Sequence, residues 1–341
     1  MRYPTLRTAL ALGIVLLLLA GGNSRAADTL PAQLSDAEFW KLITDFSEPD
    51  GYYQYTVITS NELDYQRVIP QLTKTISPGG TYFGVGPEQN FTYISALRPK
   101  IAFIIDIRRV MLLEHLMYKA VFEMSADRAG FVATLFSRRR PPQLTAETPV
   151  AAMFRAYASV QGDSDFAAAN LKAILARLKT THGFTLSAND EARLGSIYMT
   201  FLREGVVRFN TSIESPGYTA LMSATDGLGR NWSFLASEEN YTRVRAMQQK
   251  NLIVPLVGDF AGPKAVRAAG QYIRDHGAIV NLFYLSNVED YIQNVMPAFR
   301  RNVASLPLDP SSTFIHLSLQ ANSFRPWLTS IPEEIRGLQS R

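Results

Sequence analysis

A continuous apolar segment that ends on an acid is the feature of this sequence that most constrains its fold. Lys100 to Asp106 reads Lys-Ile-Ala-Phe-Ile-Ile-Asp, with only apolar residues between its ends. Such a run is typical of a strand in a parallel sheet that is covered on both faces. The β-rich segment Thr81–Gly86 precedes it and ends in glycines, and a helix that begins at Pro87 is predicted between the two. Together these segments predict a βαβ unit and an α/β fold.

The same alternation returns in the C-terminal third of the chain. Strands and helices are predicted in turn, with the strands at 252–259, 278–285 and 313–319 and the helices at 237–250, 262–277 and 288–302. Pro255 has no backbone N–H to donate, which favours an edge position or an irregular ladder for its strand. Between about 126 and 230 the pattern weakens to amphipathic helices. We therefore predict one doubly wound, Rossmann-like α/β domain over 27–341, with a largely helical insertion at about 126–230.

The first 26 residues have the pattern of a signal peptide. Arg2 and Arg7 precede an apolar stretch at 9–20, and Ser24-Arg25-Ala26 fits the small-x-small pattern of a signal-peptidase site. The stretch has about a dozen residues, fewer than the roughly 20 that cross a bilayer as a helix, which disfavours the alternative of an uncleaved anchor. We expect cleavage after Ala26, export to the periplasm or the medium, and no stable membrane span in the mature chain.

Removal of this segment changes the charge balance. The chain has 34 Lys and Arg against 30 Asp and Glu, and loss of Arg2, Arg7 and Arg25 would leave 31 against 30. The basic cluster Arg138–Arg140 has no interleaved aromatic residues, so nucleic-acid binding is disfavoured.

Because the chain has no Cys, disulfides, thiolate nucleophiles and iron–sulfur clusters are excluded. No metal ligand is predicted among the four His residues, which lack a suitable spacing.

Polar residues follow several of the predicted strands, where an open α/β sheet binds its ligands. Gly84 and Gly86 would let a ligand approach the backbone, and the helix start at Glu88 and Asn90 offers unpaired N–H groups. Asp106 ends the next strand 22 positions after Gly84, where it could accept hydrogen bonds from ribose hydroxyls. These five residues are the predicted cofactor-binding set.

Two interpretations of the glycine turn stay open. Gly84 and Gly86 are followed by Pro87 and Glu88 and not by the third glycine of a dinucleotide motif, and a carboxylate in the first helical turn repels a pyrophosphate. This counts against NAD and FAD, and less against S-adenosylmethionine, which has no phosphate. In the alternative interpretation the glycines only permit a tight turn, and Glu88 complements the helix dipole.

Three further residues are candidates for catalysis. Glu62 lies at a predicted helix start, where its group of polar residues most simply caps the helix, but a carboxyl that reaches the crevice could act as a general base. Asp259 and Asn287 each follow a predicted strand, so both would lie at the same edge of the sheet.

Parts of the sequence also resemble known families. A family of uncharacterised bacterial proteins is similar to four segments: Val85–Tyr93, Asp106–Arg109, Gly258–Gly262 and Leu285–Glu289. The succession Phe83–Gly86, Asp106 and Val257–Asp259 looks like the first, second and fourth strands of class I S-adenosylmethionine-dependent methyltransferases. This resemblance implies a methyltransferase-like fold with S-adenosylmethionine as cofactor. It also implies that Gly84 and Gly86 face the methionine moiety and that Asp106 faces the ribose.

Two functions agree with these observations. The first is an exported methyltransferase-like enzyme of unknown substrate, or a degenerate relative of one. The second is a non-catalytic periplasmic protein that binds a small ligand, or interacts with a partner, on the same fold. Because S-adenosylmethionine is made in the cytosol, an exported protein could keep the pocket and lose the chemistry.

Overall fold

The computed structural model describes residues 28–55, 57–206, 216–320 and 323–339, so the predicted signal peptide lies outside the described residues. The strands β1 to β6 are Thr81–Gly84, Ile101–Asp106, Ile253–Val257, Val280–Ser286, Thr313–Gln320 and Ser323–Ser330. The α-helices α1 to α13 are Asp36–Phe46, Ile69–Thr75, Gln89–Leu97, Arg109–Met124, Arg128–Leu135, Val150–Ala158, Ser164–Ala176, Ala188–Glu204, Tyr218–Ser223, Glu238–Gln249, Ala265–Asp275, Met296–Ala304 and Ile331–Gln339. Short 3₁₀-helices cover Leu63–Val68, Val288–Asp290 and Gln293–Val295.

The strands form one mixed sheet in the order β3-β2-β1-β4-β5-β6. Neighbouring strands from β3 to β5 run parallel, whereas β6 pairs with β5 in the antiparallel direction. The predicted α/β class is confirmed, and the mostly parallel sheet is compatible with a Rossmann-like architecture. Since β2 lies on one side of β1 and β4 on the other, the strand order reverses between β1 and β4. Open α/β sheets bind their ligands at this kind of reversal.

The position of the strand that contains Pro255 confirms one prediction made from the sequence and corrects another. β3 lies at the edge of the sheet, as the proline indicates, and it pairs only with β2. A fourth strand of a Rossmann-type sheet would pair with β1, and β4 holds that position here. The resemblance of 257–259 to a fourth strand is therefore corrected to the place of a third strand.

Two elements near the C-terminus, β6 and α13, go beyond the sequence prediction, which ends with the strand at 313–319. β6 contains Pro326 and exposes Arg325 and Trp327. An edge strand tolerates proline, and a half-exposed strand has no continuous apolar run of the kind seen in β2. The local signal of β6 is weak for both reasons.

Burial explains why the central strands are so apolar. β1, β2 and β3 are buried along their whole length. Phe83, Phe103 and Phe283 lie on three adjacent strands and pack edge to face, with ring centroids 5.5–5.6 Å apart. Helix α4 packs on β2 and β3 and is buried at every position from 111 to 122.

The regular elements described between 126 and 230 are the helices α5 to α9 and a π-helical turn, Arg177–Thr181. They are joined to α4 by Arg109, whose Nε and Nη2 donate to the two carboxylate oxygens of Asp190 in α8 at 2.6 and 2.9 Å. The boundaries of the insertion, and its place in a single domain over 27–341, stay predictions.

A segment near the N-terminus crosses the carboxyl edge of the sheet. We call its described residues, 48–55 and 57–62, the crossing segment. It begins at β3, where the Glu48 N–H donates to the carbonyl of Val257 at 2.8 Å, and passes β2, where the Gly51 N–H donates to Ile107 at 2.8 Å. It ends at β4, where Glu62 accepts hydrogen bonds from the hydroxyls of Tyr284 and Ser286. The crossing segment therefore lies over the ends of the central strands.

Candidate functional site

A cavity of about 290 Å³ lies between the crossing segment and the carboxyl ends of the central strands. Its walls are formed by the turn after β1, the end of β2, the loop after β3 and the end of β4. The cavity is thus at the reversal of strand order, where the fold predicts a ligand site.

Five of the eight predicted site residues line this cavity, namely Glu62, Gly86, Asp106, Asp259 and Asn287. The other three, Gly84, Glu88 and Asn90, lie outside the lining. Thus all three candidate catalytic residues line the cavity, whereas only Gly86 and Asp106 of the predicted cofactor-binding set do so.

Asn90 holds the glycine turn in place from behind. Its side-chain amide donates to the carbonyl oxygens of Val85, Gly86 and Pro87 at 2.8–3.1 Å, and its oxygen accepts from the hydroxyl of Tyr82 at 2.8 Å. A Cβ on Gly84 would lie 2.1 Å from this oxygen, so Gly84 is required by the packing of Asn90. Gly86 has a φ of +77° and lines the cavity, as expected for a residue that brings backbone close to a ligand.

Asp106 is already paired within the protein. Its Oδ1 accepts from the backbone N–H of Arg108 at 2.9 Å and from Nε at 3.0 Å, and its Oδ2 accepts from Nη2 at 3.2 Å. The same guanidinium donates to the carbonyl of Tyr55 at 3.3 Å and lies over the ring of Tyr53, 5.2 Å from its centroid. Arg108 thereby neutralises Asp106 and ties it to the crossing segment.

Glu62 is the buried carboxyl in the wall of the cavity. Only 4 % of its surface is exposed, and burial raises the pKa of its carboxyl, although the hydrogen bonds from Ser286 and Tyr284 oppose the shift. Ser286 has a φ of +52°, which is uncommon for a residue with a side chain. A backbone in this conformation next to a buried carboxyl is often found at functional sites.

Asp259 and Asn287 occupy the outer part of the wall, where both are half-buried. One carboxylate oxygen of Asp259 accepts the backbone N–H of Ala261 at 2.8 Å, so this residue also fixes the loop after β3. The carbonyl of Asn287 accepts the backbone N–H of Asp290 at 3.1 Å. Each residue therefore has a local structural role and a side chain in the cavity wall.

More titratable groups are buried behind the glycine turn. Glu88 accepts the backbone N–H of Ser60, and burial raises its pKa to about 8. Burial also raises the pKa of Glu114 well above its ordinary value and lowers the pKa of His115 to about 4. Since a carbonyl oxygen only accepts, the Nε2–H of His115 donates to the carbonyl of Gly86 at 2.9 Å. The raised pKa of Glu88 and the lowered pKa of His115 favour their neutral forms near pH 7, and burial disfavours the ionised form of Glu114.

Aromatic side chains form the mouth of the cavity: Tyr52, Tyr53, Phe260, Tyr291 and Phe324. Tyr53 and Tyr291 meet edge to face, with centroids 5.1 Å apart, and Tyr291 is 46 % exposed. The sequence shows the run Tyr52-Tyr53-Gln54-Tyr55, but only the path of the crossing segment brings it to the site. Arg108 is missed for the same kind of reason, because its pairing with Asp106 depends on tertiary structure.

The cavity therefore combines aromatic walls, hydroxyl and amide groups, one neutralised carboxylate and one buried carboxyl. These groups suit a small organic ligand with a flat ring and polar substituents. In the ranges that the structure describes, His, Asp and Glu side chains form no group of three that could hold a metal ion. Within those ranges no helix combines the length and apolar character needed to cross a membrane.

Comparison with known families gives one match. The family model described as "Domain of unknown function (DUF7790)" matches residues 57–148 and 171–325, which include most of the cavity lining. No curated protein is similar to the chain.

Proposed function

The chain belongs to the DUF7790 family, and we propose that it binds a small nucleoside-type ligand, with S-adenosylmethionine as the first candidate. The observation that carries this proposal is the convergence of the crossing segment and the ends of β1 to β4 on one cavity. Sites of this kind bind nucleotides and nucleosides in many open α/β folds.

The chemistry of the lining supports a ligand with an aromatic base. Tyr52 and Tyr291 line the cavity and expose 83 % and 46 % of their surface, and stacking of one base on an aromatic side chain contributes about 1–3 kcal/mol. Gly86 allows the ligand to approach the backbone, while Gln89 and Asn287 can bond to its polar substituents.

Two features disfavour a phosphate group on this ligand. Among the described lining residues only Arg108 carries a permanent positive charge, and Asp106 already pairs with it. The carboxyl of Glu88 is buried at the start of α3, where a phosphate would otherwise find unpaired N–H groups. A nucleoside without phosphate fits these charges better than NAD or FAD.

With S-adenosylmethionine bound, the reaction would be transfer of the sulfonium methyl group to a nucleophile of the substrate. Asp259 would then accept the proton of this nucleophile, because it lies in the outer part of the wall and pairs with no cation in the described part of the chain, and S-adenosylhomocysteine would be released. Asn287 would position the substrate. We therefore propose a methyltransferase-like activity for a substrate that the lining does not identify.

A non-catalytic ligand-binding protein is the second candidate, and one observation favours it. Both oxygens of Asp106 accept hydrogen bonds from Arg108, so the carboxylate that would bind the ribose is already satisfied. A relative that has lost the cofactor but kept the cavity would have this arrangement.

The test is calorimetry of the mature chain with S-adenosylmethionine and S-adenosylhomocysteine. We expect binding of both, and a loss of about 5- to 100-fold in affinity for Tyr291→Ala, because one ring contact is removed. Leu228→Ala is the control, since Leu228 is 83 % exposed and lies outside the cavity lining. No heat with either ligand at millimolar concentration rejects S-adenosylmethionine binding, and a strong absorbance of the purified protein near 260 nm would then reveal another nucleoside.

We also propose that the protein is exported to the periplasm or the medium. The proposal rests on the basic, apolar and small-residue pattern of residues 1–26. The mass of the protein from fractionated cells should correspond to a chain that begins at Ala27. A full-length chain confined to the cytosol would contradict it.

A further inference from the structure

Glu62 differs from Asp106 in the same cavity wall, because it has no counter-ion in the described part of the chain. The carboxyl is 4 % exposed, and its two oxygens accept hydrogen bonds from the neutral hydroxyls of Tyr284 and Ser286. Gln89 supports Tyr284, because its side-chain amide donates to the Tyr284 hydroxyl at 3.3 Å. These contacts fix the orientation of the carboxyl without supplying a positive charge.

The titratable groups that face Glu62 are all neutral or acidic. They come from the crossing segment and the adjacent helices and strands, and are Tyr65, Tyr82, Glu88, Tyr93 and Tyr284. In the described part of the chain no Lys, Arg or His forms an ion pair with Glu62. Burial of a carboxylate without a cation is costly, so an arrangement of this kind calls for a partner from outside the chain.

Other buried carboxylates of this protein do have cations. Asp106 is paired with Arg108, and Glu123 contacts Lys119 at 2.7 Å and His182 at 2.7 Å. Glu88 and Glu114 also lack a cation, but neither lines the cavity. In the described part of the chain two carboxyls of the lining, Glu62 and Asp259, have no cation, and Glu62 is the one that is buried.

We propose that the ligand supplies the missing cation, and that a sulfonium group of the ligand lies against Glu62. This inference rests on the proposed function, because it concerns the same cavity, and it adds the charge of the ligand. One carboxylate with two hydroxyl neighbours suits an organic cation, whereas a divalent metal ion requires more oxygen ligands. The aromatic residues of the wall favour an organic cation as well.

Proton release gives a first measurement on the unmodified protein. Since burial raises the pKa of Glu62, a fraction of the free protein carries a proton there at mildly acidic pH. A cation can bind only to the ionised form, so its binding displaces this proton. Calorimetry in two buffers of different ionisation enthalpy measures the number of protons released.

The sharpest comparison uses S-adenosylmethionine and S-adenosylhomocysteine, which differ by a methyl group and the positive charge of the sulfur. We expect the sulfonium compound to bind at least about tenfold more tightly, as for a charge-assisted contact. In Glu62→Gln this preference should disappear. Glu114→Gln is the matched control, since it removes another buried carboxyl that lies outside the lining, and it should keep the preference.

A second probe does not depend on the nucleoside. Ethylammonium chloride should raise the melting temperature of the wild-type protein above its value in sodium chloride at the same ionic strength, and should not do so for Glu62→Gln. The melting temperature of each variant in sodium chloride shows whether it folds. Where Glu62→Gln does not fold, the wild-type preference and proton release decide the question.

The outcomes separate the two proposals. Equal affinity for both nucleosides, without proton release, keeps nucleoside binding and overturns the cation inference. Stabilisation by ethylammonium that Glu62→Gln abolishes, without binding of either nucleoside, supports the cation inference and rejects S-adenosylmethionine binding. If neither nucleoside binds and ethylammonium has no specific effect, both are overturned.

Discussion

Helix α4 contains two buried carboxyl groups, and only the one near its C-terminus has cationic partners. Near its C-terminus, Glu123 receives hydrogen bonds from Lys119 at 2.7 Å, from Arg177 at 3.3 Å and from His182 at 2.7 Å. Nearer its N-terminus, behind the cavity, Glu114 is fully buried and neither of its oxygens has a hydrogen-bond partner. One helix thus carries a carboxyl with three cationic partners and a carboxyl without a hydrogen-bond partner, about two and a half turns apart.

This difference distinguishes a cluster that joins elements of the fold from carboxyls that have no cation. The Glu123 cluster joins α1, α4 and the turn at 177–181, because His182 also contacts Asp36 at 2.8 Å. The carboxyls near the cavity, Glu62, Glu88 and Glu114, join no cation and have raised pKa values. Perturbed, uncompensated groups of this kind gather at functional sites, where they cost stability.

The largest expected loss of stability follows from the removal of the Glu123 carboxylate. Glu123→Gln should lower the free energy of unfolding by about 3–5 kcal/mol, because it leaves the buried ammonium of Lys119 without its carboxylate. Urea unfolding followed by circular dichroism measures it. A loss below about 1 kcal/mol, the value of a surface ion pair, would show that the Glu123 cluster does not stabilise the contact between α1, α4 and the turn at 177–181.

Breaking the pair in the cavity wall should have a smaller effect. Asp106→Asn should lower the free energy of unfolding by about 1.5–3 kcal/mol, the value of a hydrogen bond to a charged group. Arg108 keeps its contacts with the carbonyls of Tyr55 and Val57, which moderates the loss. The same urea titration applies, and a loss equal to that of Glu123→Gln would remove the contrast between the two regions.

Glu123 and Glu88, one of the carboxyls near the cavity, should make the stability of the protein depend on pH with opposite sign. The folded pKa of Glu88 is raised to about 8, so its contribution to stability is present below its unfolded value of 4.5 and is lost as pH rises toward 8. The hydrogen bonds from His182 and Lys119 outweigh burial and lower the pKa of Glu123, so its contribution is present above 4.5 and is lost as pH falls through the folded pKa.

Urea titrations at a series of pH values measure these two slopes. Glu88→Gln should flatten the decline of stability between pH 4.5 and 8, and Glu123→Gln should flatten the decline on the acid side. An unchanged profile in Glu88→Gln would show that Glu88 is ionised in the folded protein.

The smallest change in stability is expected when Glu114, the buried carboxyl nearer the N-terminus of α4, is replaced. Glu114→Gln should change the free energy of unfolding by less than about 1 kcal/mol, because the carboxyl it replaces makes no hydrogen bond and burial, which raises its pKa, disfavours the ionised form. A large loss in the urea titration would mean that Glu114 has a partner that makes it structural.

Much of the sheet could be predicted because its signal is local. The apolar run at 100–106 and the glycines of 84–86 each record burial or a turn at their own positions, and strand ends in a parallel sheet meet at one edge. This reasoning is enough to bring Asp259 and Asn287 to one cavity, whereas Glu62 reaches it through the path of the crossing segment. β6 could not be predicted in this way, because an edge strand with Pro326 and exposed polar residues has no such local signal.

The details of the site depend on contacts that sequence spacing does not encode. Asn90 was predicted to face a ligand, but its side chain is used to hold the turn at 85–87. Arg108 pairs with Asp106, and Tyr53 reaches the mouth only because the crossing segment passes over β2. Side-chain pairing and the path of an irregular segment are both decided by tertiary packing.

Calorimetry of the mature wild-type chain with S-adenosylmethionine, in two buffers of different ionisation enthalpy at mildly acidic pH, tests the central claim most directly. The account predicts binding with release of a fraction of a proton from Glu62, and weaker binding of S-adenosylhomocysteine. Absence of binding, or equal binding of both compounds without proton release, would contradict it.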